Sequence, residues 1–190
     1  MILAGGASSR MGADKATVPL AGRAMIEWVA GAIGAVCETV LVAGRPEGLA
    51  GLPGIADPVP DRRGPVSGLV GGLQATQLPV MLVATDQPWL RSATIARLLA
   101  VGGDLPIIPV DETGARQTTC AVYPAATLSV AMSELLGGGS LQSVLDRTAY
   151  TPVVEITWRQ WGEDGRSWYS ADTPEALEEG LARFGVPVIT

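Results

Sequence analysis

Histidine is absent from all 190 residues. That removes Ser-His-Asp and Cys-His nucleophile activation, imidazole metal sites and phosphohistidine intermediates. Cysteine is nearly absent too. Cys37 and Cys120 lie far apart and neither belongs to a C-x-x-C pair, which argues against a zinc site or disulfide framework and fits reduced thiols in a cytosolic protein. The start MILAGG lacks the basic segment and long apolar stretch of a secretory leader, and no uninterrupted apolar run reaches the ~18 residues of a membrane span. Basic charge is scarce: 13 Lys and Arg stand against 19 Asp and Glu, a formal net charge of -6 with a pI near 4.6. A nucleic-acid or anionic-membrane surface needs the opposite balance. The expectation is a cytoplasmic, soluble protein whose chemistry rests on carboxylates, cations, backbone amides or a bound metal.

What is present is globular: 47% hydrophobic, 17% charged, with a mean hydropathy of +0.30. No repeat, long linker or low-complexity tract divides the chain, so residues 1–190 are expected to form a single domain. MIL, ETVLVA, PVMLVATD and LPIIPVD read as buried strands, being brief, often β-branched and bounded by turn formers. AMIEWVAGAIGAV, GPVSGLVGGLQAT and ATIARLLAVG between them read as helices. This alternation predicts an α/β, Rossmann-like doubly wound and mainly parallel sheet with helices on both faces. After Asp111 the rhythm changes: TTCAVY and TPVVEITW read as strands, ATLSVAMSELL and SLQSVLDRTA as helices around a Gly137-Gly138-Gly139 stop, and TPEALEEGLARF as a closing helix with an acidic start and Arg183 in its last turn.

The first predicted strand runs directly into LAGGASSRMGADK. Glycines at a strand end leave backbone amides unobstructed by Cβ atoms, and Arg10 and Lys15 add positive charge to an acidic chain; together they form an anion cradle suited to a polyphosphate. The spacing matches neither the dinucleotide fingerprint G-x-G-x-x-G nor the P-loop, which requires Gly-Lys-Ser/Thr. Asp86, in LVATDQPWL, falls at the carboxyl end of an apolar strand, the edge at which open α/β sheets bind ligands. A carboxylate there can hold Mg²⁺, which takes one or two carboxylates together with phosphate oxygens and water; its simpler role is a turn residue before Pro88. Asp57 or Asp61 is placed to bind a ribose hydroxyl or to serve as a solvated turn carboxylate, and Gly64-Pro65-Val66-Ser67-Gly68 opens a helix with free amides nearby. Asp172, in SADTPEAL, has the pattern of a helix N-cap, a role compatible with metal binding. Trp158, Trp161, Trp168 and Tyr169 could stack on a flat heterocycle, but β-strand packing is the simpler expectation.

LAGGASSRMGADK, GPVSG, TDQPWL and DTPEAL, in this order and spread over most of the chain, resemble the motifs of the molybdenum cofactor guanylyltransferase family. The resemblance implies a nucleotidyltransferase that couples GTP to the phosphate of molybdopterin, or of the molybdenum cofactor, using Mg²⁺ and releasing pyrophosphate. Carried over by position, Leu3, Ala4, Gly5 and Gly6 with Lys15 would contact the nucleotide, and Asp57 would lie near it. Arg10 and Lys15 would hold the phosphates, Asp86 would bind both nucleotide and metal, and Asp172 would be a second metal ligand. Transient contact with proteins that deliver molybdopterin or receive the product is implied as well. Ala43 stands where the family often has a nucleotide-contacting Asn, Thr118 follows Gln117 where Pro is usual, and Ser170 and Asp172 replace a pair of asparagines. The alternatives are a CTP-dependent cytidylyltransferase, whose kind usually reads LAAG rather than LAGG, and a nucleotide- or pterin-binding accessory protein without transferase activity.

Overall fold

The computed structural model describes residues 1–5, 14–59 and 64–189; Gly6, Arg10 and Asp61 lie outside them. The elements in chain order are β1 (Ile2–Leu3), the hairpin β2 (Pro19–Leu20) and β3 (Arg23–Ala24), α1 (Met25–Gly34), β4 (Val42–Ala43), β5 (Gly54–Ile55) and α2 (Pro65–Thr76). There follow β6 (Val80–Ala84), α3 (Ser92–Val101), β7 (Ile107–Pro109), β8 (Cys120–Tyr123), α4 (Leu128–Gly137), α5 (Leu141–Asp146), β9 (Thr151–Val153), α6 (Glu155–Gln160) and α7 (Pro174–Phe184). Among the described residues no helix is long and apolar enough to cross a membrane.

Seven strands form one sheet in the order β5-β4-β1-β6-β8-β7-β9. Parallel registers join Ile2 to Val42 and to Val83, so β1 is central, with its successor strands added first on one side and then on the other. That reversal is the topological switch point of a doubly wound sheet, the place where the crevice at the strands' carboxyl ends opens. β8 runs antiparallel to both β6 and β7. The sheet is therefore mainly parallel, and the antiparallel strand brings its amino end, Gln117–Thr119, to the same edge as the carboxyl ends of the rest.

Strand alternation sorts the core into two layers. Met81 and Val83 of β6, with Cys120 and Val122 of β8, pack under Ile26, Val29 and Ile33 of α1, Ile95 and Leu98 of α3, and Trp158 of α6. Val80 and Leu82, with Ala121 and Tyr123, face the other way onto Leu69, Val70 and Leu73 of α2, Ala131 and Leu135 of α4, and Val144 of α5. Both β6 and β8 are buried on both faces, which is why their sequence is continuously apolar instead of alternating.

The elements after Asp111 depart from the sequence reading in three places. TPVVEITW is a strand only through Val153; Glu155–Gln160 is a helix. As a strand, Ile156 and Trp158 would share a face. In the helix they separate, Ile156 becoming 71% exposed while Trp158 is fully buried and donates its indole N–H to the Val110 carbonyl at 2.8 Å; the Glu155–Arg159 ion pair at 2.6 Å supports that turn of helix. The tryptophans do not pack as strand residues: Trp158 on α6 meets Trp168, in a 3-10 turn at Arg166–Trp168, edge to face at 5.2 Å. The N-cap of α7 is Thr173, whose hydroxyl accepts from the Ala176 N–H at 3.1 Å, and Asp172 sits one residue outside it. The glycine triplet ends α4 at Gly137 as expected.

Candidate functional site

At the switch point the ends of β1 and β4 touch. A methyl group built on Gly5 would lie 3.0 Å from the Gly44 Cα, and one on Gly44 would lie 2.5 Å from the Gly5 Cα. Glycine at both positions lets the ends of β1 and β4 approach this closely. The Asp14 carboxylate accepts from the Ala16 N–H at 3.2 Å and so caps the single turn Lys15–Thr17. That turn, anchored by the buried Ala16, presents Lys15 to the cleft.

Asp86 lies two residues beyond β6 on the same edge. Its carboxylate is 3.8 Å from the Lys15 ammonium, both side chains being about a quarter exposed (24% and 22%). Three further contacts fix its position. The Ala171 N–H donates to the Asp86 carbonyl at 2.7 Å, Ser170 donates its hydroxyl to Asp86 Oδ2 at 3.1 Å, and Gln87 folds back to accept from the Ala84 N–H at 3.0 Å. The segment carrying Ser170 is itself held by Glu163, a buried carboxylate. Glu163 accepts five hydrogen bonds: from the hydroxyls of Thr94 and Ser167 at 2.5 Å each, and from the backbone N–H groups of Asp164, Gly165 and Ser167. Burying a carboxylate is tolerable only with such a full set of donors, and here the donors tie the turn before Trp168 to α3, the helix that follows Asp86.

Among the described residues, three adjoining cavities run along the edge. The middle one, 320 Å³, is lined by Lys15 and Asp86 with Leu3, Ala4 and Gly5. On the β4–β5 side it meets a cavity of 840 Å³ lined by Asp57, Arg45 and Glu47, sharing Leu3, Gly5 and Pro65. Asp57 is held by the Ser67 hydroxyl of α2 at 2.6 Å, and Pro65 places the α2 N-terminus at this junction, where the positive end of the helix favours an anion. On the β7–β8 side, Gln117, Trp168 and Ser170 are shared with a 210 Å³ recess that also contains Asp111, Tyr169 and Arg183. Burial pushes the Asp111 carboxyl up, but hydrogen bonds from the Thr113 side chain, the Ala115 and Thr113 N–H groups and the Gln117 amide outweigh it, leaving Asp111 below the usual carboxylate range. Burial and the neighbouring Glu179 raise the Tyr169 phenol, so it stays protonated.

Leu3, Ala4, Gly5, Lys15 and Asp86 thus meet in one cleft, and Asp57 lines the cavity next to it. Arg10 and Gly6 lie outside the described residues. Asp172 is not among the residues lining these three cavities; it lies two residues after Ser170, whose hydroxyl donates to Asp86. Among the described residues no group of three or more His, Cys, Asp or Glu side chains is disposed to hold a metal. Asp86 nevertheless fits Mg²⁺ of the kind that completes its shell with phosphate oxygens and water instead of a protein cage. Sequence reasoning missed Arg45, Asp14, Gln87 and Thr119, which lines the same cleft and accepts from the Gln87 amide at 3.3 Å. Arg45 was accessible to the strand-end rule, since it follows ETVLVA and Gly44 directly; Glu163, in the polar stretch WGEDGRS, carried no signal at all.

Residues 1–153 match the family described as the MobA-like NTP transferase domain. The chain is 35% identical over 152 residues to a molybdenum cofactor guanylyltransferase of Cupriavidus necator, covering 73% of this chain and 76% of that one. It is 30% identical over 197 residues to one of Rhodopseudomonas palustris, covering 96% and 91%. Among solved structures it is similar to molybdopterin-guanine dinucleotide biosynthesis protein A from Archaeoglobus fulgidus, with a TM-score of 0.82 at 21% identity over 96% of both chains. It is also similar to 2-C-methyl-D-erythritol 4-phosphate cytidylyltransferase from Thermus thermophilus, with a TM-score of 0.67 at 16% identity over 96% of this chain and 97% of that one. At these identities the structural likenesses establish the fold.

Proposed function

Because the chain belongs to the MobA-like NTP transferase family, we propose that it transfers GMP from GTP to the terminal phosphate of molybdopterin or the molybdenum cofactor, releasing pyrophosphate. The observation that carries this reading is the placement of Lys15 and Asp86, 3.8 Å apart in one cleft at the switch point of the sheet.

The acceptor is a phosphate monoester whose second pKa is near ~6, so at neutral pH it is largely dianionic and needs no general base. A chain without histidine can therefore run the reaction. One acceptor oxygen attacks the α-phosphorus, a new P–O–P anhydride forms, the bond to the β-phosphate bridging oxygen breaks, and its electron pair leaves on pyrophosphate. What the protein must do is bring two anions together in line. In this reading the larger cavity takes the nucleoside, with Asp57 at the ribose, and the recess beside Trp168 and Tyr169 takes the acceptor. The α-phosphate then lies between them, against Lys15 and the α2 N-terminus. Lys15 compensates charge that builds on the departing pyrophosphate, with Arg10 assigned to the same phosphates. Asp86, braced by Ser170, is the ligand assigned to Mg²⁺, and Asp172 the second. Bound there, Mg²⁺ would neutralise phosphate charge and make the α-phosphorus more electrophilic.

The test is pyrophosphate release from molybdopterin, Mg²⁺ and each nucleoside triphosphate supplied separately. GTP-dependent release is expected, and Asp86→Asn should lower it by ~10²-fold or more while leaving the melting temperature near wild type. Release with CTP alone would move the chain to cytidylyl transfer. Nucleotide binding with no release from any triphosphate would make it an accessory protein.

A further inference from the structure

Arg45 contacts both Ala4 and Asp14. Its Nε donates to the carbonyl of Ala4, just past β1, at 3.2 Å, and its Nη2 is paired with the carboxylate of Asp14, just before the turn that presents Lys15. The guanidinium reaches both because it follows Gly44, where the chains after β1 and β4 run in contact. A continuous series of contacts therefore links three strand ends: Ala4 after β1, Arg45 after β4, Asp14 and its capped turn, Lys15, and Asp86 after β6.

The charge arrangement adds a second reason for an arginine. Asp14 lines the cavity assigned to phosphate. A bare carboxylate there repels a polyphosphate, yet Asp14 cannot simply be dispensed with, since it caps the Lys15 turn. A cation paired with Asp14 from outside that cavity resolves the conflict; Arg45 lines the neighbouring cavity and not this one. A planar guanidinium can satisfy a carbonyl and a carboxylate at once, which a lysine ammonium does with poorer geometry.

We propose that Arg45 is a positioning residue that ties Ala4, just past β1, to Asp14, just before the Lys15 turn, and neutralises Asp14, so that Lys15 is held toward the phosphates and Asp14 does not repel them. This rests on the phosphate cleft assigned above but requires neither an acceptor nor turnover.

Two measurements test it. The first is calorimetric binding of inorganic tripolyphosphate and of GTP, each with Mg²⁺, to wild type, Arg45→Met, Asp14→Asn and the double variant. Arg45→Met should weaken both ligands by roughly tenfold or more, because it leaves an uncompensated carboxylate beside them. Adding Asp14→Asn should recover a large part of that loss, the non-additivity expected when one residue acts through another. Arg45→Lys should recover affinity in part. Were Arg45 only a direct phosphate contact, Asp14→Asn would change affinity by the same factor in wild type and in Arg45→Met, and that result would overturn the proposal, as would wild-type affinity in Arg45→Met. The second measurement is amide exchange at Ala16 and Thr17 without nucleotide. Their N–H groups are bonded to Asp14, so exchange should quicken in Arg45→Met; unchanged exchange overturns the clasp. A failure of the acceptor assignment would appear only in pyrophosphate release and leave these readouts intact.

Discussion

Gly44→Ala tests the close backbone approach between the ends of β1 and β4, and its cost divides into two parts. Gly44 has φ of +80°, a conformation in which an alanine is strained by about 1 kcal/mol. The added methyl also meets the Gly5 Cα at 2.5 Å and the Gly5 nitrogen at 2.8 Å, where carbon atoms ordinarily rest about 3.5–4.0 Å apart. The neighbour is backbone, not a mobile side chain, so relief requires β1 and β4 to part at their carboxyl ends, where the Ala4 N–H donates to the Ala43 carbonyl at 3.1 Å. Overpacking of this kind costs about 1–3 kcal/mol, for a total of about 2–4 kcal/mol and a melting temperature lowered by roughly 5–15 °C in a chain of this size. Gly51→Ala is the control. Gly51 has φ of +77° with nothing within 4 Å of the added methyl, so it carries the strain without the collision. Urea denaturation of both variants should place Gly44→Ala at least about 1 kcal/mol below Gly51→Ala. Equal losses would refute the argument that the two strand ends require glycine for contact.

Other outcomes follow from the same geometry. Lys15→Ala should slow pyrophosphate release and weaken triphosphate binding while sparing the monophosphate; equal loss for both would remove Lys15 from the leaving group. Glu163→Ala strands five donors, four of them buried, and should cost about 3 kcal/mol or more of stability. Glu163→Gln should recover part of that loss in the same urea titration, and a fully neutral alanine variant would show that the turn does not depend on the carboxylate. Asp111, whose folded carboxyl lies below its unfolded value of about 3.9, contributes stability that is complete above that value and lost as pH falls through the lower, folded one. The acid-side fall in urea midpoint should accordingly be shallower in Asp111→Asn than in wild type, and parallel profiles would contradict the hydrogen-bond assignment.

Local pattern was enough to determine the alternation of buried strands and helices, the glycine-rich exit from β1, and Asp86 at a strand tip, because these depend on residue type and on neighbours a few positions away. TPVVEITW shows where that reasoning stops. Its period-2 appearance is real, but only the Trp158 indole reaching the Val110 carbonyl decides that the chain coils after Val153. Asp172 likewise reads as a cap until Thr173 takes the Ala176 amide. The strand order, the antiparallel entry of β8, the Arg45 link to Ala4 and Asp14, the buried Glu163 bonded to Thr94 and the Ser170 hydroxyl on Asp86 join residues tens of positions apart. Such contacts follow from which faces pack and which chain ends meet once the sheet is assembled, and no short stretch of sequence contains both partners.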